Sequence, residues 1–384
     1  QDIVRFGAGV FSANPITYAQ VNNIQNSGTN VAAVDVTRPV NGTINRVPVP
    51  DFPAYRNNPS SAPGLIPGVP TVSTINLNDR DLQMPTIYKA NLSYNRLVGD
   101  WLRVGVNLMY SNTRNNYVYL DRNLVDQPFF RLSNENNRSV FVPAASISTS
   151  GITNNVLGRK TQEVGRTLLF TNGAKLEQAA VIFDADVRYY KDGYLNLSYT
   201  LNDARDNTSY NGNVANTSTF RPVKSDPRDL SEINYSDNQF RRKLVFFGAA
   251  PSFKGFVFSG RFSGIGGTRY SLTVDADIND LAFVFDPNNP NTPASIKASM
   301  EKILNNPDNR ARDYIRESLG TIADRNGGIN PFSGIFDLRL AKSFKTYKTQ
   351  AFTLSLDVFN FANLLNKDWG VNYNLGNQSL LFVS

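Results

Sequence analysis

Leu102-Arg103-Val104-Gly105-Val106-Asn107-Leu108-Met109-Tyr110 decides the fold. Leu102, Val104, Val106, Leu108 and Tyr110 fall on one side of an extended chain, while Arg103, Gly105 and Asn107 fall on the other. A period of two over this length predicts a strand with one apolar and one polar face. Upstream, Tyr88-Lys89-Ala90-Asn91-Leu92-Ser93-Tyr94 repeats the pattern, and Leu97-Val98-Gly99-Asp100 supplies a short turn between the two. The same alternation returns in Phe183, Ala185, Val187, Tyr189 against Asp184, Asp186, Arg188, and in Leu195, Leu197, Tyr199, Leu201 against Asn196, Ser198, Thr200. A tight turn at Lys191-Asp192-Gly193 joins that pair. A third pair covers Lys243 to Ala250 and Phe256 to Phe262, and a fourth covers Phe336 to Leu340 and Phe352 to Val358. With Ile3 to Phe11, a segment at Arg166 to Phe170 and short pieces near Val371 and Leu380, the chain is predicted to hold about ten or eleven strands.

Between these pairs run long stretches rich in Asn, Pro, Ser, Thr and Asp, at about 13–83, 114–163, 205–237 and 268–333. Soluble domains seldom carry loops of that size, whereas outer-membrane barrels pair short periplasmic turns with long extracellular loops. Composition agrees. Of 384 residues only 18% are charged, below the roughly 25% of soluble domains, and Asn fills about one position in eight. No run of 18 apolar residues predicts a membrane helix, but a spanning strand needs only about 9–11 residues. Tyr88, Tyr94, Trp101, Tyr110, Tyr189, Tyr190, Tyr199, Phe359 and Phe361 suit the interfacial girdles of such a barrel. The expected architecture is an all-β, antiparallel transmembrane β-barrel. Ala294 to Leu304 and Asn309 to Ile322 break the pattern with helical spacing, which predicts a helical hairpin inside one long loop.

The absence of His and Cys removes the usual zinc sites, disulfides and Ser-His-Asp or Cys-His nucleophiles. The chain is therefore not expected to be an enzyme. A net charge of +7 brings nucleic acid to mind, but the basic residues are scattered and no nucleic-acid partner is expected. Asp275, Asp277, Asn279 and Asp286 have calcium-like spacing, although Asp280 stands where a calcium loop needs glycine. Two readings stay open there: a calcium site, or a solvated acidic loop with no cofactor. Asp184, Asp186, Arg188, Asp337 and Arg339 are expected to line a barrel lumen, and Gly264, Gly266 and Gly267 to be strand-end or turn glycines.

With the strand pairs laid out, the chain resembles the C-terminal part of a TonB-dependent outer-membrane receptor barrel, in particular the Oar-like group of Bacteroidetes. The resemblance rests on Val4-Arg5-Phe6-Gly7-Ala8-Gly9-Val10-Phe11-Ser12 with Asn22-Asn23 and Ser27-Gly28-Thr29 after it, on Ile75-Asn76-Leu77 to Met84-Pro85, and on Tyr235-Ser236-Asp237. It rests above all on Phe336-Asp337-Leu338-Arg339-Leu340-Ala341-Lys342-Ser343-Phe344 and Leu356-Asp357-Val358-Phe359-Asn360-Phe361-Ala362-Asn363-Leu364-Leu365-Asn366-Lys367-Asp368-Trp369-Gly370. Such receptors are far longer, with a 22-stranded barrel around an N-terminal plug. Residues 1–384 hold no signal peptide, plug, TonB box or evident terminal strand around Leu381-Phe382-Val383-Ser384, so the chain is expected to be the C-terminal portion of one barrel rather than a complete small barrel.

The resemblance implies a cell-surface receptor in the outer membrane of a Gram-negative bacterium that imports a substrate to the periplasm. Its implied partners are TonB-ExbB-ExbD acting through the plug, outer-membrane lipids and lipopolysaccharide, and a surface lipoprotein. The competing expectations are a non-transporting barrel that acts as an adhesin or structural protein, and a soluble β-rich binding protein.

Overall fold

The computed structural model describes residues 1–12, 17–25, 27, 74–208, 215, 219, 221–275, 278–347, 350–373, 376 and 378–379. Strand dominates. The main sheet is built from β1 (Asp2–Ser12), β2 (Ile75–Asn78), β3 (Thr86–Val98) and β4 (Leu102–Asp121), with a small hairpin, β5 (Phe130–Leu132) and β6 (Arg138–Val140), following outside it. It continues through β7 (Thr167–Tyr189), β8 (Gly193–Asp206), β9 (Asn234–Tyr235), β10 (Arg242–Ala249) and β11 (Phe256–Gly266). Short strands β12 (Arg269–Tyr270), β13 (Leu272–Asp275), β14 (Ile278–Leu281) and β15 (Gly328–Ile329) precede the last long pair, β16 (Ser333–Lys345) and β17 (Ala351–Val358), and β18 (Gln378–Ser379) closes the series. Among the described residues α-helices accompany them at α1 (Thr17–Gln25), α2 (Ala294–Asn305), α3 (Arg312–Glu317) and α4 (Phe361–Leu365). Among the described residues no helix is long and apolar enough to cross a membrane.

The long strands pair antiparallel in the order β1-β3-β4-β7-β8-β10-β11-β16-β17, so every predicted hairpin forms. Every neighbour on that path is antiparallel, so the turns after Val98, Tyr189, Ala249 and Lys345 all lie at one edge. The long connections lie at the other. In the turn after β10, Lys254 (φ 48°) and Gly255 (φ 79°) both hold positive φ, the requirement of a two-residue turn that matches strand twist.

Register explains why one face is apolar. Val4 lies opposite Tyr94, Tyr94 opposite Val106, Val106 opposite Phe183, and Phe183 opposite Tyr199. Tyr199 then meets Leu244, and one row toward the turns Phe246, Phe262 and Phe336 continue the line. The rings of Phe246 and Phe262 stack at 5.0 Å. Protein does not cover this face: its row is half-exposed to exposed, and on the same face Phe6 is 73% exposed, Leu356 63% and Leu108 44%. A water-soluble sheet would cover such a band.

Three expectations change. The segment predicted at Arg166 to Phe170 is not a separate strand: from Thr167 it is the start of the 23-residue β7, which continues through Thr171, Asn172 and Gly173. Among the described residues Val371 to Tyr373 form no strand, and Gln378–Ser379 pairs parallel to β13. The second predicted helix is shorter, covering Arg312–Glu317, because the chain turns back at Gly320 (φ 73°). Gly28, Thr29, Asp277, Leu380 and Leu381 to Ser384 lie outside the described residues.

Among the described residues, parts of the long connections are folded. β4 and β7 run past the apolar band, bend at a bulge around Asn115 (φ 53°) and Gly173 (φ 134°), and carry β2 parallel to β7. Tyr117, Tyr119, Leu168 and Phe170 form a core there with Ala19 and Ala215. The predicted helical hairpin packs Met300, Tyr314 and Ile315 against Tyr270, Leu272, Ala282 and Val284, a second core within the 268–333 connection.

Candidate functional site: the polar sheet face and the loop layer

Reversing the register logic puts the polar residues of successive strands on the opposite face. Asn95 lies opposite Gly105, Gly105 opposite Asp184, and Asp184 opposite Ser198. Around this row the Arg103 guanidinium of β4 donates to the two flanking strands, β3 and β7. Its Nε donates to Asp186 at 2.5 Å, its Nη1 donates to Asn95 Oδ1 at 2.7 Å and pairs with Asp184 at 2.8 Å, and Nη2 also meets Asp186. Asn107 Nδ2 donates to Asp184 Oδ1 at 2.9 Å. A Cβ at position 105 would stand 2.6 Å from Asp184 and 2.7 Å from Asn95, so only glycine leaves room for this cluster.

Toward the loops the same face becomes mixed, with Gly7, Gly9, Asn91, Asn107, Ser111 and Gln178 lining an open concavity of about 530 Å³ together with Phe11, Met109 and Ile182. Farther along the sheet, Asn360 N donates to Asp337 at 2.8 Å, and Arg339 pairs with Asp357 at 3.7 Å. The predicted lumen residues Asp184, Asp186, Asp337 and Arg339 thus share one face. Paired charges and amides on this wall can hold a polar chain or solute by hydrogen bonds.

At the edge of the sheet the loops are tied to one another by arginines. Arg325 Nη2 donates to the Asp206 carbonyl at 2.5 Å and its carboxylate at 2.7 Å, and both side chains are 6% exposed. Arg228 donates to the Leu124 and Val125 carbonyls at 3.2 and 3.1 Å, and Arg138 to the Leu281 carbonyl at 2.6 Å. Arg221 donates to the Asn207 carbonyl at 2.7 Å; burial and then the neighbouring Arg325 push its guanidinium down to about 10. Asn326 donates to the Tyr235 carbonyl and Asp237 at 2.8 and 2.7 Å. Burial pushes the Asp280 carboxyl up, against the pull of Arg138. These partners are mostly far apart in sequence, up to 143 residues for Arg138 and Leu281, so no local pattern announces them.

The acidic run divides between elements. Asp275 ends β13 and Asn279 lies in β14, the two strands of one hairpin, while Asp286 lies in the turn that follows, its carboxylate accepting from Asn288 N at 2.9 Å. The side chains of Asp275 and Asn279, like all of Asp277, lie outside what the structure describes. Gly264 and Gly266 are strand-end glycines as expected, and a Cβ on either would run into the Phe332 ring. Gly267 (φ 75°) makes the turn that follows.

No family model matches the chain, and no curated protein matches it either. Among solved structures it is similar to the outer membrane transporter YddB from Escherichia coli, at 10% identity and a TM-score of 0.42 over 76% of this chain and 30% of that one. It is also similar to the FrpB iron transporter from Neisseria meningitidis (F3-3 variant), at 9% identity and a TM-score of 0.38 over 76% of this chain and 29% of that one. The chain spans about 30% of the length of these transporters. At such scores the fold assignment rests on the register and exposure described above.

Proposed function

We propose that the chain is the C-terminal portion of an outer-membrane β-barrel receptor that binds a solute at the cell surface and admits it to the periplasm with TonB-ExbB-ExbD. One observation carries the membrane part of this reading. The described sheet keeps an uncovered apolar face over nine strands, from Val4 to Leu356, and gathers its charge pairs on the other. Hydrocarbon accepts the first face, and a wet lumen accepts the second. From Leu102 to Tyr110 the apolar row runs about 27 Å at ~3.4 Å per residue, or about 21 Å across a bilayer at a tilt near 40°, close to the ~25 Å apolar belt of such barrels. Trp101, Tyr189 and Tyr190 stand at its turn-side edge, and Tyr88 and Tyr110 at its loop-side edge, all exposed. Tyr94 and Tyr199 sit inside the band, in the Val106 row.

Among the described strands β1 pairs only with β3, and β17 only with β16. Unpaired strand edges are not tolerated in hydrocarbon, which supports a larger barrel completed by further strands. Import and the TonB partnership rest on the sequence resemblance, strongest at Phe336 to Gly370. The arginine-tied loop layer gives the cell-surface side a rigid binding surface, and the polar face would line the path beneath it. The competing reading, a barrel that adheres or scaffolds without transport, is favoured by the same folded loops.

The chain has no cysteine, so single cysteines report cleanly. In cells, cysteine at Asn107 should react with a water-soluble maleimide and cysteine at Val106 only with a membrane-soluble one; equal reactivity would sink the barrel. Substrate uptake that survives removal of TonB would sink the import reading and leave the adhesin.

A further inference from the structure

Among the described residues the carboxylates on the polar face of the long strands are held. Arg103 pairs with Asp184 and Asp186, Arg339 with Asp357 and Arg325 with Asp206, while Asp337 accepts from Asn360 N. The remaining cations of that face are not. Lys89 lies opposite Ser111, Arg5 opposite Ser93 and Lys243 opposite Thr200, while Arg261 lies opposite Phe247 and Arg188 opposite Tyr194. Ser93 and, through Ile182, Thr200 share the Asn107 row, and Phe247 reaches the Asp186 row through Asn196. These lysines and arginines are exposed, and among the described residues none has a carboxylate within salt-bridge distance. Counted along β4, Lys89 is level with Ser111, Arg5 and Lys243 with Asn107, and Arg261 with Arg103. Levels with an unpaired cation thus recur every fourth residue, about 14 Å along the strand, from the loop side toward the turns, where Arg188 stands one row lower.

A wall carrying one sign of free charge focuses the field into the space it faces and concentrates counter-ions there. The concavity of about 530 Å³ sits at the loop-side end of this series, and Lys89 is the one charged side chain among the described residues that line it. The Lys89 Nζ lies 5.7 Å from the centre of the Phe11 ring. Phe11, Met109 and Ile182 give the concavity apolar walls, and Asn91, Asn107 and Gln178 give it amides. A lone ammonium neutralises one negative charge, side-chain amides donate and accept hydrogen bonds, and apolar walls take hydrocarbon out of water. We infer that the polar face selects anionic solutes and that the concavity seats an organic carboxylate with an apolar body, its carboxylate on Lys89 and its body against Phe11, Met109 and Ile182. This substrate class rests on the receptor reading above, which makes the face a path for solute.

The test places Ser111→Cys or Thr200→Cys in the full receptor, in isolated outer membranes at low salt. Labelling rates are read with the anionic sulfonatoethyl and the cationic trimethylammonioethyl methanethiosulfonate, each relative to its rate with a free thiol in solution. Both cysteines should favour the anionic reagent, and the preference should fade as salt screens it. Lys89→Gln should cut the preference at position 111 roughly sevenfold, the effect in water of a unit charge about 7 Å away acting with opposite sign on the two reagents. Lys243→Gln should do the same at position 200 and leave position 111 unchanged. Ile152→Cys, in the uncharged stretch 139–158, should show no preference. Dansylglycine should slow labelling of Ser111→Cys, and the neutral dansylamide should not. Equal or reversed preference at 111 and 200, or a preference that Lys89→Gln leaves intact, overturns the inference alone and leaves the receptor reading standing. Equal protection by dansylglycine and dansylamide overturns the carboxylate seat. A Ser111→Cys that reacts only with a membrane-soluble maleimide overturns the face assignment and the inference together.

Discussion

Val106 and Asn107 are adjacent, yet the register puts them in different solvents, and replacing each by arginine separates the membrane reading from any soluble one. Val106 lies between Tyr94 and Phe183 on the apolar face, four residues from Leu102 at the turn and four from Tyr110 at the loop edge. It therefore marks the midplane, where an arginine facing lipid costs about 2–4 kcal/mol. At ~1.4 kcal/mol per tenfold, the unfolded fraction should rise roughly 30- to 700-fold. Asn107 lies on the polar face, with Asp184 2.9 Å from its amide. An arginine there meets an existing carboxylate and water, so Asn107→Arg should cost well under 1 kcal/mol. The assay is equilibrium unfolding in urea from lipid vesicles, read by tryptophan fluorescence. Equal losses for the two variants, or a larger loss at Asn107, would refute the face assignment and with it the barrel.

Other outcomes follow from the loop layer and the polar cluster. Arg325→Met takes the ion pair from the buried Asp206 carboxylate, so up to about 3–5 kcal/mol of local stability should go; limited proteolysis should then cut within 207–333, and adding Asp206→Leu should restore resistance. Gly105→Val pushes a side chain into Asp184 and Asn95; it should destabilise by about 1–3 kcal/mol, seen as a lower urea midpoint, whereas Gly9→Ala meets only the flexible Phe11 ring and should shift it less. The Asp280 carboxyl is raised above 3.8 in the folded state, so its contribution is fully present below pH 3.8 and is lost as pH rises through the raised value. Asp280→Asn should flatten that part of the pH profile of loop protection from protease, and an unchanged profile would remove Asp280 from the account. If Asp275, Asp277, Asn279 and Asp286 hold calcium, millimolar Ca²⁺ should raise the melting temperature of the protein and Asp277→Asn should abolish the rise; no rise in the unmodified protein leaves the acidic run as a solvated loop.

Strand content, hairpin partners and the identity of the two faces were legible in the sequence because side-chain direction in a strand has a period of two, a property of local backbone geometry. The turns at Val98, Asp192, Lys254 and Thr346 were legible because short connections between alternating segments admit little else. The helical hairpin at Met300, Tyr314 and Ile315 could be read from spacing, but its packing on Tyr270 and Val284 could not. Only the tertiary structure joined Thr167 to Phe170 into β7, set β2 parallel beside it, and assembled Arg103 with Asp184 and Asp186. It alone paired Arg325 with Asp206 and brought Arg242, Arg310 and Tyr373 to one groove. The reason is range: backbone periodicity repeats every two residues and is written locally, whereas an ion pair spanning 119 residues exists only once the strands between its partners have fixed their register.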